Sequence, residues 1–267
     1  MNGDVSESVK EALKEDYEKI VEQLQKNVLL NTALISFCLG CVAMLAGGVS
    51  WYAYAVTDSV HWFTFGVYVI VVHVLFHMCE FCVAAVVRPR EAHPDSFMIF
   101  HSVHYWIANG LALAEFFVEV FLIPDSMKLS KDSGLFSLLF RLNYTSCVCF
   151  ALLTVIFYAV RVVAMIQGGS NFGLSIEDEK REEHTLVKHG VYKYLRHPAY
   201  FGWFWRTALA QLIIANPVNF VLHTLVTWYF FKRRIRYEEA LLLKEDYFGD
   251  EYKLYIKKTI IGIPFLY

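Results

Sequence analysis

The chain has 267 residues, of which 57% are hydrophobic and 16% aromatic, and its mean hydropathy is +0.40. That apolar share exceeds the share usual in soluble domains, so the composition indicates a membrane protein. The formal net charge is only -2, so no nucleic-acid partner is predicted.

Residues 1–27 are charged and carry apolar residues at helical spacing, which predicts a cytosolic amphipathic helix. A plain solvated leader explains the same pattern about as well. No cleavable signal peptide is expected, because the stretch is charged throughout. Six apolar segments of membrane length then follow, at 28–48, 62–87, 97–123, 135–165, 198–214 and 217–231.

The last two segments are short and are separated by Asn216 and Pro217. Proline begins helices well and ends the helix before it, so this turn predicts a helical hairpin. The six segments together predict an all-α integral membrane protein, a polytopic helical bundle.

The distribution of lysine and arginine predicts the orientation. With the amino terminus in the cytosol, the lumenal loops 49–61 and 124–134 hold only Lys128 and Lys131. Both termini are therefore expected to be cytosolic. The cations assigned to the cytosolic side are Arg88, Arg90, Lys180, Arg181, Lys188, Lys193, Arg196 and the cluster at 232–236.

Two polar stretches, 166–196 and 232–267, flank the hairpin in sequence, so they can meet over its cytosolic face. The first ends at Arg196, which is followed by His197, Pro198 and, one turn from His197, Tyr200. Pro198 can open a helix, and the exposed N–H groups of such an end suit a carboxylate ligand. A juxtamembrane anchor explains the same residues about equally well.

The second stretch contains Arg234 and Glu238 at a spacing of four, so they share a helix face. Taken alone, they read as a surface ion pair worth a few tenths of a kcal/mol. Together, the two stretches offer an anion, cations, N–H groups and aromatic rings. A sulfonium amino acid needs those groups for its amine, carboxylate and adenine.

A metal site is an alternative interpretation of the histidines and cysteines. His73, His77, Glu80, His93, His101 and His104 resemble the histidine boxes of membrane di-iron enzymes. Those enzymes need adjacent His-His pairs, which this chain lacks. The two C-x-x-C pairs, Cys38 with Cys41 and Cys79 with Cys82, lie in apolar segments and are read as packing residues. No metal is predicted.

A longer pattern of motifs is similar to the membrane methyltransferases that use S-adenosylmethionine. It most resembles the isoprenylcysteine carboxyl methyltransferase family, with the Arg-His-Pro and Glu-Glu elements shared with phospholipid N-methyltransferases and more loosely with sterol reductases. The matching elements are Gly169 to Phe172, His184 to Val187, Gly190 to Tyr192, Arg196 to Trp203, Asn216-Pro217, Arg234 to Glu239, Phe248 to Tyr252, Gly262 and Pro264.

The resemblance implies up to eight spans, an endoplasmic reticulum membrane location, and a cytosolic cofactor region built from the 166–196 loop and the carboxy-terminal tail. Residues 28–165 would line the lipid-substrate site, and 166–267 would be catalytic. The implied contacts of S-adenosylmethionine are Glu177, His184, Thr185, Leu186, Val187, Tyr192, His197, Pro198, Ala199, Tyr200 and Glu238.

For the substrate, the resemblance implies that Arg234 faces the reacting group, with Arg196 organising the site, and that His77 and Glu80 border the lipid. Arg206 departs from the family, which tends to have an aromatic residue there. A charge inside a short span is costly, so Arg206 is expected to snorkel or to line a polar cavity.

The implied function is methylation of the C-terminal carboxylate of prenylated cysteine in processed CaaX proteins. A phospholipid N-methyltransferase, a sterol reductase and a non-catalytic lipid-binding membrane protein remain the alternatives.

Overall fold

The computed structural model describes residues 4–89, 92–99, 102–124, 134–173, 175–180 and 182–267, with side chains from residue 26 onward except at residue 138. α-Helices form most of this part of the chain, and no β-sheet occurs in it. The helices are α1 (Asp4–Ala55), α2 (Val60–Tyr68), α3 (Leu75–Val87), α4 (Val103–Phe121), α5 (Leu135–Phe140), α6 (Tyr144–Gly168), α7 (Pro198–Ile213), α8 (Pro217–Leu242) and α9 (Gly249–Ile256). A π-helical segment, Val69–Val74, joins α2 to α3.

Three helical stretches in the described chain are long and apolar enough to cross a bilayer: Lys26–Ala55, Val60–Val87 and Tyr144–Asn171. They correspond to the predicted segments 28–48, 62–87 and 135–165. The other predicted segments form α4, α7 and the first part of α8, which are shorter or more polar. The helical architecture is as predicted, and the count of six to eight spans stays a prediction.

The boundary predicted for the first span is wrong. α1 continues to Ala55, so the predicted loop 49–61 shrinks to residues 56–59. The helix continues because residues 49–55 contain no proline, and Gly47 and Gly48, which could have ended it, do not take the positive φ of a helix cap. The charged stretch belongs to the same helix, and the side chains of its predicted amphipathic face lie outside the described residues.

The apolar segment predicted at 135–165 contains two helices. α5 ends at Phe140 and α6 begins at Tyr144. Asn143 caps α6, since its side-chain oxygen accepts a hydrogen bond from the Ser146 N–H at 2.8 Å. Four cations of the predicted loops, Arg90, Lys128, Lys131 and Arg181, lie outside the described residues, as does His101 of the predicted segment 97–123.

Close packing of α1 against α2 depends on Gly66. A Cβ atom there would lie 2.1 Å from the Ser50 hydroxyl oxygen and 2.4 Å from the Ala46 carbonyl oxygen. Small residues at such contacts let helix backbones approach, as is usual where helices pack inside a membrane.

The predicted helical hairpin is confirmed. Pro198 and Pro217 occupy the first turns of α7 and α8, where a missing N–H removes no hydrogen bond. α8 continues past the predicted end at residue 231 to Leu242, so it carries Arg234 and Glu238 on the same helix.

The turn of the hairpin is held by α4. The Glu115 carboxylate accepts hydrogen bonds from the N–H groups of Val218 and Asn219, each at 2.7 Å. The Asn216 side chain donates to the Ala112 carbonyl at 2.6 Å. A carboxylate at the positive end of a helix is favourable, so α4 fixes where α8 begins.

Arg206 is buried rather than snorkelling. Its guanidinium donates to the Val72 carbonyl at 2.6 Å and lies over the rings of Phe76 and Tyr158, with its central carbon 4.2 and 5.4 Å from their centroids. Val72 belongs to the π-helical segment, where the regular hydrogen-bond register is interrupted and a carbonyl is available to a side chain. The π segment and two aromatic faces therefore accommodate this charge.

A second buried cation, Arg161, joins α6 to α3. Its Nε and one terminal nitrogen donate to the two carboxylate oxygens of Glu80, at 2.7 and 2.9 Å. The Tyr158 hydroxyl donates to the same carboxylate at 3.2 Å. Both side chains of the pair are almost fully buried, at 2% and 1% exposed. A forked pair of this kind fixes the relative position of the two helices.

We predict that Glu80→Gln destabilises the protein by about 3–5 kcal/mol, because it leaves a buried cation without its counter-charge. Thermal unfolding in detergent micelles measures this loss, with the exposed Glu245→Gln as the matched control. If Glu80 contacts the substrate and does not stabilise the fold, the unfolding temperature of Glu80→Gln would be unchanged and only the KM for the substrate would rise.

Candidate active site

One pocket lies where the beginning of α7, the end of α8, α9 and the loop between α6 and α7 meet. All eleven residues predicted as cofactor contacts line it: Glu177, His184, Thr185, Leu186, Val187, Tyr192, His197, Pro198, Ala199, Tyr200 and Glu238. Arg196 lines it as well. The fold thus brings together the two polar stretches that the hairpin separates in sequence.

Tyr200 connects the two predicted ionic residues of α8. Its hydroxyl donates to the Glu238 carboxylate at 2.7 Å and accepts a hydrogen bond from the Arg234 Nε at 2.8 Å. The Arg234 guanidinium also lies over the Tyr200 ring, 5.4 Å from its centroid. Arg234 and Glu238 are therefore coupled through an aromatic residue of α7, which the surface ion-pair interpretation does not require.

Arg196 is buried beside Glu239. The Arg196 Nε donates to the Glu239 carboxylate at 2.6 Å, and the His197 Nε2 lies 3.0 Å from the same oxygen. A carboxylate only accepts hydrogen bonds, so this contact assigns a proton to the His197 Nε2. Burial alone would raise the pKa of Glu239, but His197 and Arg196 outweigh it and hold that pKa below its usual value. Glu239 is therefore an anion at neutral pH.

The loop between α6 and α7 is tied down at several points around the pocket. The Asn171 side chain accepts a hydrogen bond from the Thr185 N–H at 2.9 Å. The Lys180 ammonium donates to the Tyr247 carbonyl at 2.7 Å and lies 4.6 Å from the centroid of the Phe248 ring. These contacts place His184 to Val187 against the residues that follow α8.

Part of the pocket wall was missed by sequence reasoning. Aromatic residues of the wall that carried no predicted role are Phe172, Tyr247, Phe248, Tyr252 and Tyr255. Phe172, Phe248 and Tyr252 belong to motifs already noted in the sequence, and those motifs were the signal that could have found them. Aromatic residues are common in any core, so composition alone could not separate a wall residue from a packing residue.

Tyr252 differs from the other wall residues in one respect. Its hydroxyl is buried and has no hydrogen-bond partner within the described part of the chain. Burial, and then the carboxylates of Glu239 and Glu238, raise the pKa of Tyr252, so the hydroxyl stays protonated and can donate. A buried donor without a partner is costly, which points to a ligand or a water molecule in this pocket.

The predicted lipid-side residues lie elsewhere. His77 and Glu80 do not line the pocket and are buried among the helices. The His77 Nδ1 is 2.7 Å from the Phe97 carbonyl, and Glu80 pairs with Arg161. Arg161 also lies over the Trp203 ring, 4.5 Å from its centroid, so it links the lipid-side helices to α7. A direct contact of His77 or Glu80 with substrate stays a prediction.

The described histidines do not gather around a common point. Within the described residues no group of three or more His, Cys, Asp or Glu side chains is placed to hold a metal ion. The rings of His73 and His77 are stacked with centroids 6.4 Å apart. That the protein uses no metal stays a prediction.

Similar proteins identify the family. The model of the isoprenylcysteine carboxyl methyltransferase family matches residues 149–244. The protein-S-isoprenylcysteine O-methyltransferase of Xenopus laevis is 35% identical over 241 residues, which is 90% of this chain and 74% of that protein. The enzyme of that name from Saccharomyces cerevisiae is 32% identical over 243 residues, covering 91% of this chain and 94% of the relative.

The relative from Tribolium castaneum is 39% identical over 192 residues, and this chain spans 63% of its length. A solved structure of a eukaryotic intramembrane Ras methyltransferase, isoprenylcysteine carboxyl methyltransferase, aligns with a TM-score of 0.70 at 30% identity. The alignment covers 89% of this chain and 86% of that one. Sequence and fold therefore agree over nearly the whole chain, and the protein belongs to the isoprenylcysteine carboxyl methyltransferase family.

Proposed function

We propose that this protein methylates the C-terminal carboxylate of prenylated cysteine, with S-adenosylmethionine as the methyl donor. Family membership supports the reaction class, since the relatives are named protein-S-isoprenylcysteine O-methyltransferases. The observation that carries the proposal is the single pocket lined by every residue of the expected cofactor motif.

The pocket fits the proposed donor. Glu238 supplies a carboxylate for the amine, the start of α7 offers a helix N-terminus for the carboxylate, and the Tyr252 hydroxyl is a buried donor without a partner. The aromatic wall, including Tyr247 and Phe248, gives a planar purine a surface on which to stack. S-adenosylmethionine, when bound, supplies an electrophilic methyl group.

The substrate needs little chemical activation from the protein. A free carboxylate is ionised near pH 7, so the reaction requires no general base. The protein must instead strip water from the carboxylate and aim it at the methyl group, and such positioning is worth up to about 7–11 kcal/mol.

We assign the orientation of the substrate carboxylate to Arg234. Its planar guanidinium can fork onto a carboxylate, and its bond to Tyr200 sets the direction in which the fork points. Tight neutralisation of the carboxylate would stabilise the ground state as well, so Arg234 acts by orienting it. Arg196, held by Glu239, keeps the beginning of α7 in place.

The proposed topology places this pocket at the cytosolic face of the endoplasmic reticulum membrane, with both termini cytosolic. The large apolar surfaces exposed along α1 and α6, such as Leu45 and Leu152, support burial of these helices in lipid. A prenyl chain would enter sideways between the helices, and the cofactor from the cytosol.

Radiolabel transfer in reconstituted vesicles tests the function. We expect label from S-adenosylmethionine on N-acetyl-S-farnesylcysteine and none on phosphatidylethanolamine. Label on the phospholipid alone would indicate an amine methyltransferase. Such an enzyme needs a route by which the substrate amine loses its proton. Cofactor binding without transfer to either acceptor would indicate a non-catalytic lipid-binding protein.

Two variants test the cofactor pocket. Glu238→Gln removes the proposed anion, and Tyr252→Phe removes only a hydroxyl, so both should weaken S-adenosylmethionine binding. For Tyr252→Phe the loss of one hydrogen bond, about 1 kcal/mol, corresponds to roughly a fivefold rise in Kd. Equilibrium binding in detergent measures it, with Glu245→Gln and Tyr229→Phe as controls. Unchanged affinity in both test variants would remove these residues from the site.

Arg234→Lys tests whether Arg234 orients the substrate carboxylate. The lysine keeps the charge and loses the planar fork, so kcat/KM for the prenylcysteine should fall, by roughly 100-fold if the carboxylate moves by about 1 Å. The Kd for S-adenosylmethionine should change little. Arg236→Lys, at an exposed position of the same helix, is the control for steady-state kinetics. If Arg234→Lys turns over like the unmodified protein, Arg234 does not orient the carboxylate, and Arg196 becomes the leading candidate for that role.

A further inference from the structure

We propose that residues 259–267, here called the terminal strap, are a positioning element of the active site that acts through Arg196. The inference rests on the proposed function, because the site it adjusts is the proposed cofactor pocket. None of the strap residues lines that pocket. Their effect must therefore be transmitted through other side chains.

The strap binds the chain on both sides of Leu195. The Arg196 N–H donates to the Ile260 carbonyl, and the Ile260 N–H donates to the Tyr194 carbonyl, each at 3.0 Å. These bonds form an isolated parallel bridge between Leu195 and Ile260. The Arg196 guanidinium donates to the Thr259 carbonyl at 3.0 Å. The strap therefore holds both the backbone and the side chain of Arg196.

Two tryptophans fix the strap to the hairpin. The Trp205 indole N–H donates to the Gly262 carbonyl at 3.1 Å, and the Trp228 indole N–H donates to the Pro264 carbonyl at 2.8 Å. The residues that precede these two carbonyl groups, Ile261 and Ile263, are buried in a hydrophobic cluster with α7 and α8. The strap is thus docked in one register by alternating buried and hydrogen-bonded residues.

Gly262 makes this docking possible. Its φ is +76°, in the left-handed region, and a Cβ atom would lie 2.6 Å from the Phe201 Cδ2 and 3.0 Å from the Leu195 Cδ2. Any other residue here strains the backbone and also pushes the strap away from α7.

The contacts continue from Arg196 to the pocket. Arg196 and His197 share one Glu239 oxygen, and the His197 ring stacks on the Tyr200 ring at 5.4 Å with an interplanar angle of 7°. The Tyr200 hydroxyl in turn holds Glu238. If Arg196 moves, Glu239 loses its buried partner and the stacked pair that lines the pocket loses its support. The strap therefore controls the geometry of His197 and Tyr200 from outside the pocket.

The test compares two glycine variants of the full chain in detergent or nanodiscs. Gly262→Ala should raise the Kd for S-adenosylmethionine and lower kcat/KM by on the order of 10-fold to 100-fold, as expected for a displacement of up to about 1 Å. Gly48→Ala, where a Cβ meets nothing within 4 Å, should leave both unchanged. Adding Phe201→Ala to Gly262→Ala should restore part of the binding, since it removes the clashing ring atoms while the backbone strain at residue 262 remains.

A second comparison separates positioning from loss of folding. Because the strap acts through Arg196 and Glu239, Gly262→Ala should weaken binding much less in a Glu239→Gln background than in the unmodified protein. If Gly262→Ala does not fold, Trp228→Phe takes its place. This variant keeps an aromatic ring but loses the indole N–H that binds the Pro264 carbonyl, and it should weaken binding less than Gly262→Ala. Fully additive effects, or unchanged Kd in these variants, would overturn the inference. Absence of S-adenosylmethionine binding in the unmodified protein would instead reject the proposed function.

Discussion

The site depends on one buried contact, the hydrogen bond from the Arg196 guanidinium to the Glu239 carboxylate. The arginine precedes α7, the glutamate lies near the end of α8, and both side chains are largely removed from water. Separating a buried ion pair leaves both charges uncompensated, so neither helix end can shift without a large energetic loss. That constraint brings His197, Tyr200 and Glu238 to one wall and makes a pocket out of the two ends of a hairpin.

Two further buried arginines, in α6 and α7, are stabilised in different ways. Arg161 is neutralised by Glu80, whereas Arg206 is held by a carbonyl of the π-helical segment and by aromatic faces. Both arginines contact α3 or the segment just before it, and both lie beside Tyr158. Buried ionic groups thus set the register of α6 and α7 against α3. Apolar packing in lipid would specify that register only weakly.

The helix types and the pocket residues could be predicted because their signals are local. Proline at the first turn of a helix, a spacing of four between Arg234 and Glu238, and motifs of adjacent residues need no knowledge of distant contacts. The end of α1 at Ala55 was mispredicted and the position of the break before Asn143 was not predicted, since apolar composition is the same in one long helix and in two. Arg161 was missed as the partner of Glu80, because an ion pair between residues far apart in sequence leaves no periodic trace.

The sequence by itself determined the class of protein, the hairpin, and eleven of the residues that line the pocket. Hydropathy, helix-start signals and family motifs are properties of the chain that folding does not alter. Only the tertiary structure decided which ions pair, that Tyr200 joins Arg234 to Glu238, and that the strap holds Arg196. The physical reason is that charge pairing, burial and steric contact depend on distances in space, and these arise only when remote segments pack together.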